Sequence, residues 1–254
     1  YAVHTVNVVY EGLDIPCSYQ EIVNQYSSKT TLIACPIPNS NPFEFRIFCS
    51  ENMALTKATL SLDEYPELAY FGDFSAYCNG NNYLYLSGGE DSKEGYQDFT
   101  MENKYLTWMA KINLIDGKLT KLDSFTSPRF WHSMIFIPNR YVFIVGGNYT
   151  KSVEILNTDT GEITEDSILN EFHSEPSLCL VNENYLYCFM GFKYEGDNSY
   201  SSIIERCNLR TKKRTWEIVT LATDTCDIQT RFFTISYFND DNLLIFGGDN
   251  ISAD

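Results

Sequence analysis

Apolar runs of four to six residues recur along this chain, each cut off by a short turn signal, and the alternation predicts β-strands rather than helices. The stretch SPRFWHSMIFIPNRYVFIVGGN, residues 127–148, carries the pattern most fully. It has a Ser-Pro turn, then Arg129, Trp131 and His132, an apolar run from Met134 to Ile137 and a Pro-Asn-Arg turn. A second apolar run, Tyr141 to Val145, leads into the doublet Gly146-Gly147. Two β-rich runs joined by such a turn read as an antiparallel hairpin. The doublet marks its end, because paired glycines take unusual backbone angles at no steric cost.

The same order is predicted elsewhere. Phe74 to Cys78, the turn Asn79–Asn82 and Tyr83 to Leu86 lead into Gly88-Gly89. Trp108 to Ile115 and Lys118 to Leu122 form a hairpin around Asp116-Gly117, a pair that supplies the positive backbone angles of a tight turn. Ser152 to Leu156 and Glu162 to Glu165 flank Asp159-Thr160-Gly161 in the same way. Further on, Ser177 to Val181 and Tyr185 to Met190 run into Gly191, Ser202 to Leu209 and Arg214 to Val219 make another hairpin, and Thr230 to Phe238 and Leu243 to Phe246 reach Gly247-Gly248. The last glycines are 58, 44 and 57 positions apart. A unit of roughly 50 residues built from four strands is the signature of a β-propeller blade. Residues 1–70 match weakly: Thr30 to Cys35, Phe43 to Cys49 and Leu55 to Leu62 read as strands, and so does Val3 to Tyr10.

These residues resemble the kelch-repeat family, whose blades pair an apolar strand and glycine doublet with a late Trp and an Arg-bearing start of the next blade. PRFWHS, residues 128–133, matches that start, Arg231 matches its Arg, the doublets at Gly88-Gly89, Gly146-Gly147 and Gly247-Gly248 match, and Trp216 stands at the late Trp. The repeats diverge. Leu119 and Ile163 replace the late Trp in two copies, Met190 replaces the glycine before Gly191, and the start near His173 lacks the Arg. The resemblance covers about residues 70–254 and implies one all-β domain, a propeller of four-stranded antiparallel blades. About five blades are visible, where such rings close with six or seven. Gly248 is followed by six residues. The last blade is therefore expected to borrow strands from Val3–Tyr10 or to belong to a longer chain, and we read the chain as part of a longer one.

Composition narrows the function. The 254 residues are 44% apolar, enough for a packed core, and no apolar run is long enough to predict a membrane helix. The formal charge of −16 argues against phosphate-dominated nucleic-acid binding and suits solubility or a partner with a basic surface. Eight cysteines occur without a CxxC pair, several in strand-like runs, which suits buried thiols in a reducing, cytoplasmic setting. Three histidines without close His or Cys spacing predict no metal site, and no glycine-rich phosphate loop or Gly-x-Ser-x-Gly elbow occurs. No catalytic residue and no cofactor is expected.

The resemblance places partner contacts in the loops after each doublet. The candidates are Glu90, Asp91, Glu94, Tyr96, Asp98 and Phe99 in one loop and Tyr194, Glu195, Asp197 and Tyr200 in another. Arg129 and Arg231 have two readings: a contact on that face, or a residue that fixes the segment between blades. The expected function is a non-enzymatic interaction module or scaffold, acting within a large assembly or as a ubiquitin-ligase substrate adaptor. The alternative is a small-ligand or carbohydrate enzyme, mutarotase-like, using the propeller mouth.

Overall fold

The computed structural model describes residues 32–37, 40–49, 54–71, 75–89, 106–138, 141–147, 150–189, 191, 203–219, 230–239 and 242–250. Within the last two spans it describes side chains only at Ile235 and Leu243. Apart from one 3-10 turn, Pro66–Tyr70, the regular elements among these residues are all strands. They form five antiparallel sheets in which each strand pairs with its sequence neighbour. The first sheet holds β1 (Leu32–Ile37), β2 (Phe43–Cys49) and β3 (Leu55–Leu60). The second holds β4 (Ser75–Gly80), β5 (Tyr83–Gly88), β6 (Met109–Asn113) and β7 (Leu119–Lys121). The third holds β8 (Ser133–Ile137), β9 (Tyr141–Val145), β10 (Ser152–Asn157) and β11 (Ile163–Ile168). The fourth holds β12 (Ser177–Val181), β13 (Tyr185–Phe189), β14 (Ile204–Asn208) and β15 (Trp216–Val219), and the fifth β16 (Thr230–Asn239) and β17 (Asn242–Asn250).

Turn chemistry sets these hairpins. Asn81 and Asn82, between β4 and β5, have φ of 50° and 60°, and Asn182 and Glu183, between β12 and β13, have 50° and 55°. Left-handed pairs match the right-handed twist of the flanking strands. At the far end of the third strand in the second, third and fourth sheets an Asn caps the next turn. The Oδ1 atoms of Asn113, Asn157 and Asn208 accept from the amides of Ile115, Asp159 and Arg210 at 2.9, 3.0 and 3.0 Å. Such Asx turns are a main reason that Asn favours turns.

The core lies between sheets. Buried side chains of the first and second sheets form one cluster, of the second and third another, of the third and fourth a third, and of the fourth and fifth a fourth. The opening strands lie side by side: β4 against β8, β8 against β12, β12 against β16, with β1 against β4 and β5. Polar clasps reinforce the seams. Asn79 accepts from the Ala34 amide at 2.7 Å and donates to its carbonyl at 2.8 Å, and Asn82 accepts from the Leu32 amide at 2.9 Å. Backbone groups on the edge of β1 are thereby satisfied without a neighbouring strand. On the outside, Arg214 of the fourth sheet pairs with Asp166 of the third at 2.6 Å.

The all-β antiparallel expectation holds, with three four-stranded sheets among the described residues. Leu119, Ile163 and Trp216 do occupy one station, opening the fourth strands opposite Ile112, Leu156 and Cys207. Two expectations need correction. The first sheet has no fourth strand following β3: only seven residues separate Leu60 from Leu68, against twelve between Asn113 and Thr126 and between Asn157 and Asn170. Gly247-Gly248 does not end its strand either, since β17 continues to Asn250 with Gly247 paired to Phe233. The expected strand Val3–Tyr10 lies outside the described residues.

Candidate functional site

The loops proposed to meet a partner all leave the same end of the sheets, where each second strand finishes. What holds that end is a pair of repeated stations, built on the segments that carry the chain from one sheet into the next.

Glu154 on β10 faces inward and is fully buried. Its Oε1 accepts from the amide and hydroxyl of Thr126 at 3.0 and 2.7 Å, and its Oε2 from Arg129 Nε at 2.9 Å. Arg129 is also fully buried. Its Nη1 donates to the carbonyls of Gly146 and Ser152 at 3.0 Å each, and its Nη2 to Ser152 Oγ at 2.7 Å. Burial pulls the guanidinium below its ordinary value and the adjacent Glu154 carboxylate opposes that pull. A buried ion pair survives only when its remaining donors and acceptors are met, and this one meets them.

The next sheet repeats the design with different residues. Glu205 on β14 accepts from the amide and Nδ2 of Asn170 at 2.9 and 2.7 Å, from the Glu171 amide at 2.9 Å and from His173 Nε2 at 3.1 Å. Burial pushes the Glu205 carboxyl up, but His173 and the Asn170 and Glu171 amides outweigh it and hold the group below the usual carboxylate range. Thr126 and Asn170 are 44 positions apart, as are Arg129 and His173, and Gly147 and Gly191.

The doublet glycines follow from the same packing. The Gly147 amide donates to the His173 carbonyl at 2.9 Å. At Gly191, with φ 114°, an added Cβ would come within 2.5 Å of the Ser174 carbonyl oxygen. A side chain there meets backbone that cannot yield, so glycine is required both by angle and by space.

One more constellation has a chemical look. Ser87 and His132 are buried, with Ser87 Oγ and His132 Nε2 2.8 Å apart. A serine beside a histidine is the outline of an activated nucleophile. Ser87 Oγ also lies 3.0 Å from Met134 Sδ, and which member of the serine–histidine pair donates depends on the imidazole tautomer. Burial, then the nearby Arg129 charge, push His132 down to about 3, and its Nδ1 has no hydrogen-bond partner among the described residues. The arrangement packs two sheets together and offers no base poised near neutral pH.

Arg129 cannot reach a partner's surface: of its two readings, the structure gives the segment-fixing one, because every guanidinium nitrogen is consumed inside the fold. Arg231 is the second residue of β16, opposite Asp249, and its side chain lies outside the description. Glu90, Asp91, Glu94, Tyr96, Asp98, Phe99, Tyr194, Glu195, Asp197 and Tyr200 lie outside the described residues. Trp216 is buried, and its indole Nε1 donates to Ser167 Oγ at 3.0 Å, tying the fourth sheet to the third. The carboxylates Glu154 and Glu205 have no counterpart in the sequence reading. Their signal is the 44-residue offset between Thr126-x-x-Arg129 and Asn170-x-x-His173. Among the described residues no group of His, Cys, Asp and Glu is arranged to hold a metal, and the described cysteines are free thiols.

No protein family matches the chain, and no curated protein is significantly similar to it.

Proposed function

We propose that this chain is a kelch-like β-propeller that works as a non-enzymatic protein-interaction module. It presents the acidic, aromatic-bearing loops after its glycine doublets to a partner with a basic surface. The observation that carries this reading is the repeated station at that end: in the third and fourth sheets a buried carboxylate on the third strand gathers the segment entering its sheet, at Glu154 and again at Glu205. Rigid frames with variable loops are how binding surfaces are commonly built, because the scaffold absorbs the ordering cost and the loops carry the specificity. The side-by-side opening strands favour a radial array of sheets over a two-sheet sandwich. The loop sequences supply Glu94, Asp98 and Asp197 beside Tyr96, Phe99 and Tyr200, and rigid aromatics next to charges suit an interface. Scaffolding in an assembly and substrate recognition for a ubiquitin ligase both use such a face. The described thiols, all but Cys35 buried, suit a reducing, cytoplasmic setting.

The test is affinity capture with the chain and with a Glu94→Lys, Asp98→Lys, Asp197→Lys variant. Salt-sensitive partners bound by the first and lost by the second support the acidic-face reading. Full retention of partners by the variant overturns it, and turnover of a free sugar by the chain overturns the non-enzymatic reading.

A further inference from the structure

We propose that the tip of the β14–β15 hairpin, through Arg210, Lys212 and Lys213, is a docking site for a short acidic segment of a protein partner. This surface is distinct from the loop face. Antiparallel pairing puts the tip at the opposite end of the fourth sheet from Gly191, where the Leu209 amide donates to the Asn184 carbonyl of the β12–β13 turn at 2.7 Å.

The tip's backbone follows the common plan, since Asn208 caps it as Asn113 and Asn157 cap theirs. Its content does not. The sister tips read Leu-Ile-Asp-Gly-Lys and Thr-Asp-Thr-Gly-Glu, whereas this one reads Leu-Arg-Thr-Lys-Lys-Arg. The Asx turn needs none of these cations. The Thr211 hydroxyl closes back onto the Asn208 carbonyl at 2.9 Å, which holds the tip in place.

Pairing separates these residues from other cations of the fold. Lys57, Arg129, Arg206 and Arg214 each hold a carboxylate. Arg210, Lys212 and Lys213 are exposed and pair with no carboxylate among the described residues. Three like charges within four positions repel one another, in a chain of net charge −16 with 34 acidic residues available to neutralise them. An anionic ligand relieves that repulsion. Its size follows from the remainder of the molecule: beyond about one Debye length, ~8–10 Å at ordinary salt, the chain's acidic surface repels a long polyanion. A segment with two or three carboxylates stays within the field of the tip, whereas nucleic acid and an anionic bilayer do not.

The experiment is fluorescence anisotropy of a labelled hexaglutamate peptide titrated with the full chain at low salt. The comparison is an Arg210→Gln, Lys212→Gln, Lys213→Gln variant whose thermal midpoint is checked against the parent. Binding that weakens by roughly tenfold or more in the variant, and is unchanged by Lys118→Gln at the sister tip, is the expected result, each exposed contact being worth a factor of a few. Equal binding by variant and parent overturns the site. So does no binding of hexaglutamate by the parent, or tighter binding of a single-stranded oligonucleotide or of phosphatidylserine-containing vesicles than of the peptide.

Discussion

The Glu175 amide donates to the Trp131 carbonyl at 2.6 Å, and both residues hold a left-handed backbone, with φ of 56° and 55°. They stand at one station, 44 positions apart, two residues before β12 and β8 begin. The bend that lets one segment hydrogen-bond to the next is thus made at the same place twice, once by a residue type as unsuited to it as tryptophan.

Substitution at Glu175 separates conformation from side chain. Glu175→Gly relieves the left-handed penalty and is expected to leave stability within about 1 kcal/mol of the parent. Glu175→Pro cannot take the angle and removes the amide that Trp131 accepts from, so a loss of about 3 kcal/mol or more is expected. Urea unfolding of the two variants measures the difference, and equal midpoints would contradict the linkage.

The buried Arg129–Glu154 pair has an apolar relative within the same chain. Counting back four residues from the opening strand, Arg129 and His173 correspond to Phe71, and Glu154 corresponds on the third strand to Ala110. Phe71 and Ala110 belong to one apolar core, where Phe71 meets Phe43 edge-on at 5.7 Å. Arg129→Met alone strands a buried carboxylate and is expected to cost about 3–5 kcal/mol. Combined Arg129→Phe and Glu154→Ala removes both charges and should cost clearly less than the two single changes together. A double-mutant cycle by chemical denaturation reads the coupling, and simple additivity would show that the pair is not a unit.

Strands and turns were legible because their chemistry is local. Asp116-Gly117 announces its turn, and Leu119 and Ile163 keep the apolar character of Trp216 at the same station. Glu154 and Glu205 were not, because a glutamate in a strand reads as a solvated position until its partners are known, and these partners sit 25 to 35 residues away. The absence of a strand following β3 among the described residues was legible only as a spacing. Leu60 and Leu68 stand too close for a turn and a strand between them, a comparison that needs the register of the other sheets. The run of β17 through Gly247-Gly248 reflects pairing to β16, which overrides the local preference of glycine against strands.

Acid should weaken the fold from a pH well above the usual carboxylate range. His132 titrates near 6.5 when unfolded and at about 3 when folded, so its contribution is present above about 6.5 and is lost as the pH falls toward 3. Glu205, held below its ordinary value, has the same sign: its contribution is present above about 4.3 and lost as the pH falls through the folded value. The urea midpoint should therefore decline between pH 7 and 5 through His132, and more steeply below pH 4.5 as Glu205 joins. His132→Gln should flatten the upper part of that profile and leave the lower part. A profile already flat between pH 7 and 5 in the parent would mean that the imidazole is not held neutral in the fold.

Gly80, at the end of β4, meets the third sheet face to face. A Cβ at that position would lie 2.1 Å from Phe136 Cγ, with the two Cδ atoms at 2.3 and 2.5 Å. The ring there is fixed in turn by stacking on Tyr85, with centroids 6.3 Å apart and planes at 15°. Gly80→Ala therefore cannot be absorbed by a small rotation. It must push the Phe136 ring from Tyr85 or part β4 from β8, at an expected cost of about 1–3 kcal/mol. Phe136→Leu alone leaves a gap and also destabilises the fold. In the double variant the alanine methyl fills part of the space that the ring vacates, so the second change should cost less in the presence of the first. Thermal unfolding of the two single variants and the double variant decides the matter: full additivity would mean that Gly80 is needed for its turn alone and not for the close approach of the two sheets.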